Sequence, residues 1–332
     1  MTVVVEELPA VPSERADGGG WPRILWVGGT VLLVVMVVHV VALMITGGSW
    51  TGPVSLRKPA TFAETGWLLA WSVALILPTL RARPWQRHLI GGATLLFGFG
   101  ETAIIGIQAW RGVPSHYNFS TPLDAALMRG GAAGTAGVFL IAVIVLLVVA
   151  LRSRQTAPAV RLGVVAGIAV LLTGCVIGLV MIFNNSGVYQ GSVGAGFGER
   201  TTGYLGPDPA TVGQEYVLIH PDTAGGDLVL PHAIGVHGLL LLAVPAVLLA
   251  RTALSGRRQL QVVAVAVGAV LTAFGTLLVH ALRQQPLSAL HPVVLALLAA
   301  CAVALAWAYT TVAVALLRRW RTDQPGRTSH AA

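Results

Sequence analysis

Eight apolar runs, each about 20 residues or longer, dominate the chain: 24–45, 61–80, 88–110, 123–151, 160–183, 230–250, 259–282 and 291–317. At a rise of about 1.5 Å per residue, each is long enough to cross the hydrocarbon core of a bilayer as a helix. The expected fold is therefore all-α, a polytopic membrane bundle of about eight transmembrane helices. Composition points the same way, with 55% hydrophobic and only 10% charged residues and a mean hydropathy of +0.77. Soluble globular domains carry far more charge.

The net charge of +8 sits in short arginine clusters beside the apolar runs, which marks topology and not nucleic-acid binding. Arg81, Arg83 and Arg87 follow the second run, and Arg152, Arg154 and Arg161 the fourth. Arg251, Arg257 and Arg258 follow the sixth, and Arg318, Arg319, Arg321 and Arg327 the eighth. The positive-inside rule places these connections and both termini on the cytoplasmic side of a bacterial inner membrane. Residues 1–22 read as a disordered cytoplasmic lead-in, 23–318 as the transmembrane domain and 319–332 as a cytoplasmic tail. The first run is too long for a signal-peptide core and no A-x-A cleavage pattern follows it, so it reads as an uncleaved span. Cys175 and Cys301 both fall inside apolar runs. Neither a disulfide framework nor a cysteine metal site follows from them.

The remaining connections, 46–60, 111–122, 184–229 and 283–290, face outward and gather the unusual residues. The segment 184–229 is glycine-rich and holds five acids, Glu199, Asp208, Glu215, Asp222 and Asp227. Its length is that of a lid, a binding loop or a disordered segment.

An acid stands inside the second run, in "KPATFAETGWLLAW" (58–71). Glu64, Trp67, Leu68 and Trp71 follow i, i+3, i+4, i+7 spacing and share one helical face. Glu64 lies roughly 8 Å below the helix end near Pro59. Such a carboxyl either pairs with Arg57 or Lys58 at the interface or serves chemistry. In "ETAIIGIQAWRG", Glu101, Gln108 and Arg111 form one stripe, with Glu101 about 14 Å below Trp110 and expected to face the bundle interior. Interhelical hydrogen bonding is the commoner use of such a residue. The following "RGVPSHYNFSTPLDAALM" adds His116 and Asn118 to the same polar network. Within it Thr121, Pro122 and Asp124 fit a helix start, which makes Asp124 a capping residue and not a catalyst.

"DLVLPHAIGVHGLL" places His232 near one end of the sixth run and His237 deeper. Five helical residues turn by about 140°, so the two imidazoles share no face and make a poor joint metal site. His39, His280 and His291 fall in the same outer half.

The blocks "RKPATFA", "ETAIIGIQAWRGVPSHYNFSTPLDAALM" and "DLVLPHAIGVHGLLLL", about a quarter of the chain, resemble a broad family of bacterial polytopic membrane proteins. Position 64 in that family is ordinarily apolar. With an acid there, the chain resembles the bacterial membrane-integral terpene cyclases of indole sesquiterpenoid (drimentine-type) pathways. The resemblance implies a protonation-initiated cyclase of a lipophilic prenylated small molecule, with the membrane as its other partner and no cofactor.

The chemistry demands the same residue types. Starting a polyene cyclisation takes a carboxyl sheltered from water, aromatic faces for the travelling cation, and a later base. Glu64 is the candidate donor, Trp67 and Trp71 the stabilising faces, and Glu101, His116 or His237 the acceptor. Gln108, Arg111, Tyr117, Asn118 and His232 are the substrate-binding candidates. Two other classes compete: a haem protein using His39, His237, His280 or His291 as axial ligands, and a proton-coupled transporter using Glu64 and Glu101. For the transporter, no broken helix or inverted repeat is visible in the sequence.

Overall fold

The computed structural model describes residues 20–50, 54–114, 118, 120–184 and 226–322, with backbone alone at 182–184 and 288. His116, Tyr117 and most of the connection 184–229 lie outside the described residues.

The chain is an all-α, multi-pass membrane bundle. Its elements are α1 (Trp21–Thr46), α2 (Arg57–Ile76, prolonged by a 3₁₀ turn Leu77–Thr79), α3 (Pro84–Trp110), α4 (Pro122–Ala126), α5 (Ala133–Arg152) and α6 (Pro158–Asn184). They continue with α7 (Val229–Val236), α8 (Val244–Leu249), α9 (Gly256–Leu282) and α10 (Pro292–Thr322). A π-helical segment, Leu127–Ala132, joins α4 to α5 into one span. Seven helical stretches among the described residues are long and apolar enough to cross a membrane, and the bent pair 229–249 makes up to eight.

The ends fit together through the loops. Thr156 Oγ1 donates to the Thr79 carbonyl at 2.9 Å, and the Arg81 amide donates to Ser153 Oγ at 3.0 Å. The α2–α3 and α5–α6 connections, each with an arginine cluster, therefore meet at one end of the bundle. At the opposite end Gly47 (φ 64°) and Gly112 (φ 68°) close α1 and α3 in the left-handed region, which glycine adopts without strain.

Small residues set the helix spacing, as expected where apolar burial gives helices no advantage over lipid. Gly66 of α2 lies directly on Gly98 of α3, so close that a Cβ at 66 would stand 2.8 Å from the Gly98 Cα. Thr102 and Gly106 continue that face of α3, one turn apart each. The core behind it joins α2, α3, α5 and α6 through Val73, Ile90, Phe139, Leu146, Ile168 and Leu171, with Phe97 and Phe139 stacked at 4.5 Å. α10 stays largely uncovered and presents Val293, Leu295, Val303 and Leu317 outward, which suits acyl chains.

The sixth span departs from the uninterrupted helix expected over 230–250. α7 stops at Val236, a π-helical segment Leu239–Ala243 follows, and the two parts meet at 48°. The second half also carries a carbonyl served from another helix. Pro245 has no N–H for the Leu241 carbonyl four residues back, and Tyr309 of α10 reaches across to donate to that oxygen at 2.9 Å. Gly235 and Gly238 press against Gly174 and Gly167 of α6 backbone to backbone, which fixes the two halves separately.

Candidate functional site

The densest polar cluster lies where α3 ends and α4 begins. Thr121 is the N-cap of α4, with Oγ1 accepting from the Asp124 amide at 3.1 Å, and Pro122 takes the first helical position, as the sequence led us to expect. The Asp124 side chain is nonetheless more than a cap. It is 1% exposed and its Oδ1 accepts from Arg111 Nη1 at 2.6 Å and from Gln108 Nε2 at 2.9 Å. Oδ2 accepts from Thr121 Oγ1 at 2.7 Å and faces Ser120 Oγ at 3.1 Å. Arg111 Nη1 also donates to Gln108 Oε1. Gln108 and Arg111 stand one turn apart at the end of α3, so both reach the same carboxylate. Asn118, 4% exposed, joins through Oδ1, which accepts from the Ser120 amide at 3.1 Å and lies 2.5 Å from Ser120 Oγ.

Gln108, Arg111 and Asn118 are thus brought together as expected, but Glu101 is not with them. Seven residues earlier on the stripe, and 5% exposed, it accepts from Thr135 Oγ1 of α5 at 2.5 Å. Gly100 lets α5 come this close, since a Cβ there would meet the Thr135 methyl at 2.7 Å. Interhelical hydrogen bonding, the plainer of the two uses considered for Glu101, is the one observed.

Glu64 sits half-buried on α2. It makes no hydrogen bond or ion pair among the described residues. The interfacial pairing with Arg57 or Lys58 is therefore not formed, and Arg57 Nε instead donates to the Trp50 carbonyl at 2.6 Å. Two turns along the same face, Trp71 meets Trp67 edge-on at 5.4 Å and tilts over Trp26 of α1 at 4.7 Å. Its Nε1 donates to the Trp26 carbonyl at 3.2 Å, whereas the buried Trp67 Nε1 has no partner among the described residues. Gly66 faces α3, so Glu64, about 200° round the helix from it, points away from α3. The Gly66–Gly98 contact and the Gly106–Pro59 approach put Glu64 and Glu101 at similar depth. They occupy different faces and different surroundings.

The histidines are separately committed. His39 Nε2 accepts from Trp110 Nε1 at 3.3 Å, which puts the ring proton on Nδ1, and Nδ1 donates to the Val35 carbonyl at 2.9 Å. An axial-ligand role for His39 would break that pairing. His232 Nδ1 donates to the Gly174 carbonyl at 2.8 Å, His280 Nε2 to the Pro286 carbonyl at 3.1 Å, and His291 Nδ1 accepts from the Val293 amide at 3.3 Å. His237 stands at the break of the sixth span, where its backbone N–H donates to the Ala233 carbonyl at 3.3 Å, and its imidazole has no hydrogen bond among the described residues. Among these residues no group of three or more His, Cys, Asp or Glu is placed to hold a metal ion.

Asp124, Ser120, Thr121 and Thr135 complete the two polar clusters and were missing from the candidate residues read from sequence. Arg111 beside Gln108 on a membrane helix was the available signal, because a cation there needs an acid and Asp124 is the first one after it along the chain.

Fold and site together define a multi-pass, all-α membrane protein with an ion-paired polar cluster at a helix junction and, on the helical face that carries Trp67 and Trp71, a carboxyl that has no partner among the described residues. No family model, no curated protein and no solved structure matches the chain.

Proposed function

We propose that this chain is a membrane-embedded cyclase that closes rings on a prenylated small molecule, beginning with a proton from Glu64. One observation carries the proposal: a half-buried carboxyl on a membrane-crossing helix with neither hydrogen bond nor ion pair among the described residues, on the helical face that carries Trp67 and Trp71. A structural acid would have a partner at this depth.

The reaction is a balanced isomerisation. The Glu64 O–H proton adds to the terminal C=C, whose π pair forms the new C–H bond and leaves a tertiary cation. The next C=C attacks the cation, forming the ring bond and moving the charge along the chain, where the indole faces stabilise it. A base finally takes a proton from a carbon next to the last cation, and that C–H pair becomes the product C=C. Glu101 is held by Thr135 on another face, so the base in this scheme is His237. Solvent then returns the proton to Glu64. Protein of a bacterial cytoplasmic membrane with its arginine-rich end inside would meet such substrates directly in the bilayer.

The test is isotopic. Membranes given a farnesylated substrate in D₂O should yield cyclised product one mass unit heavier, because an exchanged Glu64 delivers deuterium. Cyclised product without added deuterium would rule out initiation by protonation.

The break in the sixth span favours a second reading, proton-coupled transport, since interrupted helices line many transport sites. Proton uptake by proteoliposomes without any ring closure would select it.

A further inference from the structure

The polar cluster at the α3–α4 junction has used up its acceptors and kept its donors. Both Asp124 oxygens are taken, by Arg111 and Gln108 on one side and by Thr121 and Ser120 on the other. Asn118 Oδ1 is taken by the Ser120 amide. The Asn118 amide nitrogen, by contrast, is buried without any partner among the described residues, on a side chain only 4% exposed. Arg111 spends only Nη1 on Gln108 and Asp124. Among the described residues its Nη2 and Nε carry no hydrogen bond, and its side chain is 35% exposed. A buried, unsatisfied donor is costly, so a native arrangement that retains one is suited to a group that satisfies it.

We infer that the Asn118 amide and the outward N–H groups of Arg111 form a binding site for an uncharged, hydrogen-bond-accepting head group, a carbonyl, at the end of a lipophilic ligand. The neighbouring charges exclude the anionic alternative. The Arg111 cation is already matched by Asp124, so the cluster has no net charge to offer. A diphosphate brought here would leave water to sit beside a buried carboxylate, which is unfavourable in a low-dielectric site. The ligand therefore keeps its prenyl chain on a neutral carbonyl-bearing head and does not carry a diphosphate leaving group. The choice of a prenyl chain rests on the cyclase proposal, while the polarity of the head follows from the cluster alone.

Binding of three probes to the full-length protein in lipid-free micelles tests this: farnesyl acetate, farnesyl diphosphate and the hydrocarbon farnesene, followed by tryptophan fluorescence. The wild type should prefer the acetate over both others by at least about tenfold. Asn118→Asp keeps size and the oxygen that accepts from Ser120 but removes the donor, and should lose about tenfold in acetate affinity with farnesene unchanged. Arg111→Lys, which keeps a cation beside Asp124 but not the guanidinium donors, gives the same answer should Asn118→Asp fold poorly. Tighter binding of the diphosphate, or acetate affinity unchanged in both variants, would overturn the site. In phosphatidylcholine nanodiscs the acetate should remain bound. Its displacement by lipid would assign the carbonyl contact to a phospholipid ester and overturn the prenyl-ligand assignment. None of these readouts requires turnover, so a failed cyclisation leaves them standing.

Discussion

Arg111 Nη1 and Asp124 Oδ1 lie 2.6 Å apart across the α3–α4 junction, one partner 35% exposed and the other 1%. The pair ties the end of one span to the start of the next. Removing the buried charge while keeping the shape, as in Asp124→Asn, strands Arg111 and weakens several charge-assisted hydrogen bonds at once. The expected loss is about 2 kcal/mol or more, read as a lowered unfolding midpoint in micelles. An unchanged midpoint would show that the pair does not hold the junction.

Glycine at 66 is required by the close approach to Gly98. Gly66→Ala places a methyl group against backbone, and overpacking of this kind costs about 1–3 kcal/mol. Gly268→Ala and Gly275→Ala meet open space and should be neutral or stabilising. Equal midpoints for Gly66→Ala and Gly275→Ala would contradict the packing described.

Tyr309 caps the carbonyl that Pro245 leaves without a helical donor. Tyr309→Phe should cost about 0.5–1.5 kcal/mol. In a Pro245→Ala background the restored N–H can serve Leu241, so the same substitution should cost less. A double-mutant cycle measures the difference, and additive effects would show that the two residues act independently.

How much of this was legible in the sequence differs by level. The spans were, because length and hydropathy are properties of a single segment, and every apolar run corresponds to a helix or to the bent pair. The break between Val236 and Leu239 was not. Glycine and proline are tolerated in membrane helices, and only the partners Gly167, Gly174 and Tyr309 show what Gly235, Gly238 and Pro245 do. At the site, helical spacing grouped Gln108 with Arg111 and gave Thr121 its cap. Asp124 was read as a first-turn acid, correctly, but a first-turn position does not prevent its carboxylate from pairing with another helix. Thr135 was invisible, since it meets Glu101 across 34 residues of chain through a packing contact that no local pattern encodes.

The arginine clusters lead us to propose an orientation. Reporter fusions after Arg154 and within residues 195–215 should report opposite sides of the membrane, the first cytoplasmic. Both on the same side would contradict the span count.

Glu64 is the residue on which the functional account turns, and Glu64→Gln tests it most directly. The variant keeps size and hydrogen-bonding capacity but has no proton to transfer. Conversion of a farnesylated substrate should be measured on membranes carrying wild-type or Glu64→Gln protein, normalised to the amount of folded protein. Since Glu64 has no ion pair to lose among the described residues, the variant should fold as the wild type does and lose at least about 100-fold in turnover. Equal conversion by the two proteins, or no conversion of any polyene by the wild type, would contradict the account.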